Sequence, residues 1–304
     1  MKTGALFSIV AGITAVSAAA VEKRQTPNID AVILNYALTL EHLEDTFYRQ
    51  GLANFTQAQF AAAGYDASFY KNLKEISKDE TTHVNFLTTA LLAAGASAVS
   101  ECVYNFPYTD VKSFVSLASV LEGVGVSAYL GAAANITNPA YLTAAGSILT
   151  VEARHSAFLR DALALSPFAT PFDTPLDFNE VYSLAAPFIV SCPATNAALP
   201  VKAFPSLTLT TTGVSTNADI TGDYLSFKSA SPLAANTAYY LHFLNGLQDI
   251  SVKAYVSAGN VVSANIPGTI AGQTYVVLTS SASLSNDDNI LAGPAIIEIV
   301  DCSC

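Results

Sequence analysis

The chain has 304 residues, of which 51% are hydrophobic and only 12% are charged, so it can bury one large core or two smaller ones. Its formal net charge of −11 disfavours nucleic acid and anionic membranes as partners. The first predicted element is a secretory leader over residues 1–24. Lys2 precedes an apolar run over residues 5–16 and then four small residues, a pattern typical of signal peptides. The run is too short to span a membrane, and we expect no later transmembrane segment.

The leader ends in a dibasic pair, Lys23-Arg24, which resembles the cleavage sites of secretory processing proteases. The alternative is a chance pair of basic residues. Cleavage there would leave Gln25 as the mature N-terminus and would change the formal charge from −11 to −13, because three basic residues and one acidic residue are removed. The sequence therefore predicts a secreted protein of the extracellular space or cell wall.

Glycosylation sequons and cysteines fit the same compartment. The sequons are Asn54-Phe55-Thr56 and Asn135-Ile136-Thr137. Four cysteines allow three pairings, and the sequence does not choose among them. We favour Cys102 with Cys192, which would tie the connection between helices 2 and 3 to the segment after the helices. Cys302 and Cys304 would then form a small ring or link to another chain.

Residues 28–165 read as four long helices. Asp66, Asp110 and Asn138 are good N-caps, and Gly95 is a good C-cap. A shorter helix is expected near residues 181–189. The predicted long helices run from Ile29 to Ala53, from Asp66 to Gly95, from Asp110 to about Asn135, and from Asn138 to before Pro167.

From about Ser206 the hydrophobic period changes to that of short strands, with turns at Asn245-Gly246 and Gly259-Asn260. The fold class predicted is therefore α+β multidomain: a four-helix bundle followed by a small all-β sandwich-like domain. The predicted divisions are a leader over residues 1–24, the bundle over 25–190, a linker over 191–205 and the β domain over 206–304. Strands are expected near Leu207, Leu241, Val252, Val276 and Ile297.

Four glutamates and two histidines interrupt the apolar faces of the predicted helices. An unpaired carboxylate in such a stripe would be costly to desolvate, and a metal ion is a suitable partner. One Glu on each of two helices and a Glu-x-x-His on each of the other two builds a two-metal site in a bundle. The predicted ligands are Glu41, Glu80, His83, Glu122, Glu152 and His155.

The Glu-x-x-His spacing puts both side chains on one helix face. Glu80 and Glu152 can then bridge two ions, while each histidine binds one of them. Four carboxylates balance two divalent ions, and mixed carboxylate and imidazole ligands favour manganese or iron over a structural zinc. The alternative is that Glu-x-x-His arises by chance on a solvated helix face.

Glu44 lies one turn after Glu41 and could replace it, act as a catalytic proton carrier, or have no role. The spacing of seven from Glu41 to Tyr48 matches that from Glu122 to Tyr129, which favours Glu41 as the ligand. The two tyrosines are either hydrogen-bond partners of ligand carboxylates or ordinary core residues.

Asp79, Asp45 and Arg154 neighbour ligands in sequence but are expected to project elsewhere. We expect His42 and His242 to be surface or packing residues.

The segments Leu40–Tyr48 and Leu121–Gly131 resemble the ferritin-like superfamily, in particular the secreted ferritin-like proteins of fungi, which are related to plant desiccation-related proteins and associated with stress or sexual development. Cys102–Pro107 and Ala186–Phe188 are similar to that branch as well. The resemblance implies chemistry with dioxygen or hydrogen peroxide, and we expect a catalase-like oxidoreductase. The alternative is a non-enzymatic stress, developmental, cell-wall or spore protein with a structural metal site.

Overall fold

The computed structural model describes residues 28–211 and 224–300. An α-helical domain is followed by an antiparallel β domain, which confirms the predicted α+β class. The predicted leader, the processing site before Gln25, Cys302 and Cys304 lie outside the described residues.

Four long helices form the bundle and follow the predicted bounds closely, because local capping sets their ends. Asn28, Asp66, Asp110 and Asn138 each accept a hydrogen bond from a backbone N–H in the first turn of their helix. Gly95 adopts a φ of +71°, which suits a residue after a helix C-terminus. The helices are α1 (Ile29–Asn54), α2 (Gln57–Ala62), α3 (Ala67–Ala93), α4 (Val111–Ala132), α5 (Pro139–Ala162) and α6 (Phe178–Ala185).

The short helix α2 was not predicted. Thr56 and Gln59 form a capping box, in which each side chain bonds the other residue's backbone N–H. Six residues are too few for a helical period to stand out in the sequence. Phe60 is the buried residue of this helix and packs into the aromatic cluster at the end of the bundle.

The helices pack as two antiparallel pairs, α1 with α3 and α4 with α5, and α1 also contacts α4. The stretch Val111–Asn135 is long and apolar enough to cross a membrane by length and composition, contrary to our expectation for segments after the leader. However, 67% of its most apolar window is buried inside the protein, and it carries the fully buried Glu122. Its apolar character is that of a core helix.

A disulfide joins Cys102 to Cys192, as favoured from the sequence. Beside it, β1 (Val103–Tyr104) pairs with β2 (Ile189–Ser191) in a small antiparallel sheet. The connection between α3 and α4 is therefore fastened to the chain that leaves α6.

The β domain is a seven-stranded antiparallel sheet in the order β3-β4-β7-β6-β5-β8-β9. The start of the long strand β6 pairs with β5 and its end pairs with β7. The two halves of the sheet enclose one core that includes Phe227, Phe243 and Val276, which makes the domain sandwich-like as predicted. The strands are β3 (Leu207–Leu209), β4 (Tyr224–Ser229), β5 (Tyr239–Asn245), β6 (Gln248–Ser257), β7 (Val261–Asn265), β8 (Gly272–Thr279) and β9 (Ile290–Ile299).

The two domains share polar and apolar contacts. Arg160 on α5 donates two hydrogen bonds to Glu298 on β9, at 2.7 and 3.0 Å. The Tyr275 hydroxyl lies 2.8 Å from Ser127 Oγ and donates to the Gly123 carbonyl oxygen on α4. The β domain is thus fixed against the α4–α5 pair.

Candidate metal centre

The four long helices each contribute to one buried cluster of carboxylates and imidazoles. Glu41 lies on α1, Glu122 on α4, and the two Glu-x-x-His segments lie on α3 and α5. On α3 the buried stripe runs from Leu73 through Glu80 and His83 to Leu91. The apolar positions therefore turn the ligand positions towards the bundle core. All four glutamates are 0% exposed.

The first group of the cluster surrounds His83. Its Nδ1 lies 3.3 Å from Glu41 Oε2, 3.2 Å from Glu80 Oε2 and 3.2 Å from Glu152 Oε1. One donor atom from each of these four residues lies within 4.8 Å of the others, as ligands of one metal ion would. The group joins residues of α1, α3 and α5.

The second group surrounds His155. Its Nδ1 lies 3.1 Å from Glu80 Oε1, 3.3 Å from Glu122 Oε2 and 3.7 Å from Glu152 Oε2. Glu80 and Glu152 therefore offer one oxygen to each group, as expected of bridging carboxylates. The structure brings all six predicted residues together in the arrangement that their order suggested.

Six donor atoms of the cluster lack hydrogen-bond partners among residues 28–211 and 224–300. A buried acceptor without a partner costs about 1–3 kcal/mol, so several of them converging on one point indicate a group that fits between them. The donor set of four carboxylates and two imidazoles suits two divalent transition-metal ions. These atoms are Glu41 Oε2, Glu80 Oε1, Glu122 Oε2, both oxygens of Glu152, and His155 Nδ1.

Two buried tyrosines hold the outer glutamates in a crossed arrangement. The Tyr48 hydroxyl on α1 donates to Glu122 Oε1, and the Tyr129 hydroxyl on α4 donates to Glu41 Oε1. Each tyrosine thus bonds the glutamate of the other helix pair. Each of these glutamates keeps its second oxygen, Oε2, facing a histidine. The two tyrosines are therefore hydrogen-bond partners of the candidate ligand carboxylates, the first of the two roles that the sequence left open.

Burial and mutual repulsion set the protonation of the metal-free cluster. Burial raises the pKa of Glu122 to about 8, although His155 opposes the shift. Burial would also raise the pKa of Glu152, but the nearby imidazoles of His155 and His83 outweigh burial and hold that pKa at about 2. Burial alone would lower the pKa of His83, yet the surrounding carboxylates of Glu152, Glu41 and Glu80 raise it.

Asp79 contacts the centre, contrary to our expectation that it projects elsewhere. Its Oδ2 lies 3.3 Å from Nε2 of His155, on the side of the ring away from the cluster. A carboxylate in that place fixes the ring and increases its basicity towards a metal ion. The equivalent position in the other Glu-x-x-His segment is Val151, whose side chain cannot do this. The two metal positions are therefore chemically unequal.

The predicted catalytic residue Glu44 lies at the edge of the cluster, and it is 5% exposed. A Cβ built on Gly125 would lie 3.0 Å from Glu44 Oε1 and 3.6 Å from Glu152 Oε2. Both carboxylates thus approach the space that a glycine leaves open on α4. Burial, followed by the charges of Glu152 and Glu80, raises the pKa of Glu44 well above its usual value.

The remaining predicted positions play packing or surface roles. His42 Nε2 lies 3.1 Å from the Val99 carbonyl oxygen, and His242 is buried in the β domain with Nδ1 2.7 Å from Asp249. Asp45 accepts hydrogen bonds from Arg49 and Thr81.

A family model described as a ferritin-like domain matches residues 29–165. Over these residues the chain is similar to ferritin-like domains. Protein rds1 of Schizosaccharomyces pombe is 32% identical over 190 residues, which cover 62% of this chain. The chain spans about half the length of that relative, 46% of which is aligned. The ferritin-like domain therefore coincides with the helices that carry the cluster.

Sequence reasoning on the ferritin-like domain missed Asp79 and Gly125. Asp79 precedes Glu80 directly, but neighbouring helical residues point about 100° apart, so its contact with α5 depended on how closely the helices pack. Gly125 stands three residues after Glu122, and helical glycine is unfavourable unless space is needed. The unusual glycine could be seen in the sequence. The sequence did not show that the Glu44 and Glu152 carboxylates need the space beside it.

Proposed function

We propose that this protein is a secreted two-metal oxidoreductase that disproportionates hydrogen peroxide to water and dioxygen, in the manner of a catalase. The proposal rests on the convergence of six buried side chains, which form two metal-binding clusters that both include Glu80 and Glu152. Six of their donor atoms have no hydrogen-bond partner within the described residues. Glu41 and His83 would hold one ion, Glu122 and His155 the other, and Glu80 and Glu152 both. Two manganese or iron ions held there would supply redox chemistry with peroxide or dioxygen.

The residues of the chain would orient the centre and handle protons. The bonds from Tyr48 and Tyr129 fix one oxygen each of Glu122 and Glu41. Glu44 lies beside the cluster, and burial raises the pKa of its carboxyl well above the usual value, so this group could take up a proton and pass it to a reacting oxygen. The complete burial of the glutamates keeps bulk water from the reaction.

Hydrogen peroxide is the proposed small-molecule substrate, with dioxygen as the related choice. The predicted leader and sequons support a location in the extracellular space or cell wall, where a peroxide-consuming protein could act in stress or development. We propose no nucleic-acid partner, because the acidic charge of the chain disfavours it.

The test removes two ligands from α3. The Glu80→Ala/His83→Ala double variant should lose bound manganese or iron and peroxide consumption, measured by elemental analysis and oxygen evolution. The matched control is Thr82→Ala/Thr89→Ala on the same helix, whose exposed hydroxyls bond only the helix's own carbonyl oxygens. Full peroxide consumption by the ligand variant would rule the proposal out.

A second candidate is a non-enzymatic protein in which the metals stabilise the bundle. The observation favouring it is that all four glutamates are completely buried, which is what a purely structural site would also show. Stoichiometric metal without peroxide consumption would support this candidate over the first.

A further inference from the structure

An apolar cavity of about 330 Å³ lies beside the candidate metal centre, between the bundle and the β domain. Its walls come from α1, α4 and α6 on one side and from β3 and β9 on the other. The lining is mainly aliphatic and includes Leu40, Val124, Leu184, Leu209 and Ala295. A volume above 300 Å³ falls within the usual range of small-molecule sites.

Glu44 gives this cavity a polar end. Its carboxyl lines the cavity, and the residue is only 5% exposed. Within the part of the chain that the structure describes, no hydrogen bond is made to this carboxyl. Gly125 lines the cavity as well, and the space above its Cα is where Glu44 and Glu152 approach each other. The polar end is therefore also the end nearest the metal centre.

The β domain closes the cavity at its other end. Leu207 and Leu209 from β3, together with Pro294, Ala295 and Ile296 from β9, form that wall. Without them, the apolar faces of α1 and α4 around Leu43 and Val120 would be open to solvent. The volume and lining of the cavity depend on both domains. The β domain would therefore help to determine which ligands fit.

We propose that this cavity binds a small aliphatic alcohol, with its hydroxyl donating to Glu44 and its chain against the aliphatic walls. At the volume that water takes up, the cavity has room for about ten non-hydrogen atoms. An unpartnered buried carboxylate favours a ligand that donates one hydrogen bond, and the negative charge of Glu44 disfavours an anionic ligand.

The alcohol would be the reducing co-substrate of the centre, a part of the proposal that rests on the proposed function. The alcohol's CH–OH group becomes a carbonyl group by losing two electrons and two protons. Hydrogen peroxide accepts them, its O–O bond breaks, and two water molecules form. Glu44 would orient the hydroxyl group through its hydrogen bond.

Isothermal titration calorimetry of the full metal-loaded chain tests the binding without any turnover. We use 1-octanol, n-octane and octanoate as probes of one chain length. We expect octanol to bind about tenfold more tightly than octane, because only octanol can satisfy Glu44, and octanoate to bind more weakly than octanol. Equal binding of octanol and octanoate, or no octanol binding, would overturn the proposal.

A cavity-filling variant locates the site. Ala295→Leu adds three carbon atoms to the cavity wall and should weaken octanol binding by about tenfold or more. The matched control is Ala254→Leu, at an alanine of similar burial in the β-domain core that does not line the cavity, which should bind as the unmodified protein does. Leu209→Asp, at a partly exposed lining position, serves if Ala295→Leu does not fold, and it should weaken binding similarly.

Unchanged octanol affinity in the folded lining variants would overturn the assignment of the cavity. Formation of octanal from octanol and peroxide, lost in the lining variants, would support the co-substrate role. Octanol binding without octanal, in protein that consumes peroxide, would overturn that role. Failure of the metal centre itself would show separately, as missing metal or missing peroxide consumption.

Discussion

Removing the metal ions should destabilise the helical domain, and the size of the effect follows from the cluster. Six buried donor atoms have no hydrogen-bond partner within the described residues when no ion lies between them. Each such atom costs about 1–3 kcal/mol, which proton uptake by the carboxylates offsets in part. A ligand that binds only the folded state at 100 to 1,000 times its Kd stabilises it by about 2.7–4.1 kcal/mol. For a domain of this size that corresponds to a rise in Tm of about 5–16 °C.

The effect should also depend on pH. Burial raises the pKa of Glu122 to about 8 in the folded, metal-free protein, and burial raises that of Glu80 as well. Carboxylates with raised pKa values contribute stability that is present below about pH 4.5 and is lost as the pH rises towards 8. Metal ions displace these protons, so the increase in Tm on metal addition should grow from pH 5 to pH 8.

Differential scanning calorimetry of chelated and metal-reconstituted protein measures both effects. The control is the Glu80→Ala/His83→Ala variant, whose Tm should not respond to manganese or iron. A Tm that does not change with metal concentration in the unmodified protein would refute the reasoning. So would an equal increase in the variant, or an increase that shrinks as the pH rises.

Three further predictions concern contacts around the centre and between the domains. Asp79→Asn removes the carboxylate that faces the histidine of the second group, so one of the two ions should bind about 10–100-fold more weakly in a stepwise metal titration while the other is unaffected. Arg160→Ala leaves its carboxylate partner on β9 unpaired in a largely buried place and should lower the free energy of unfolding by about 3–5 kcal/mol in denaturant titrations. Lys78→Ala, which breaks an exposed ion pair, should leave the free energy of unfolding nearly unchanged. Burial and then the charge of Asp177 raise the pKa of Glu180 to about 8, so its ionisation destabilises the folded state as the pH rises towards 9. Glu180→Gln should therefore be more stable than the unmodified protein at pH 9 by roughly 1–4 kcal/mol, and a stability gain that is larger at pH 5 would contradict the assignment.

Much of the helical domain could be read from the sequence because its signals are local. The caps at Asp66 and Asn138 and the spacing of apolar residues fixed where helices begin and which face turns inward. A glutamate and a histidine three residues apart then share that inward face in any helix. The six candidate ligands followed from this periodicity, before any packing of the helices was known.

The β domain was predicted less completely. The strands β4 (Tyr224–Ser229) and β7 (Val261–Asn265) were missed, although neither is an edge strand of the sheet. Their alternation is short and mixed with serine and asparagine, and their stability comes from cross-strand neighbours such as the pair Phe227 and Val262. Pairing partners distant in sequence leave little trace in a single strand.

The sequence by itself determined the buried residue types and their spacing along each helix, because helical geometry converts spacing into a shared face. The tertiary structure decided which groups meet across helices. It crossed Tyr48 and Tyr129 to opposite glutamates, brought Asp79 to the histidine of α5, and set the β domain over Glu44 to enclose the cavity. Such contacts depend on the distances and rotations between packed elements, which no local pattern of residues specifies.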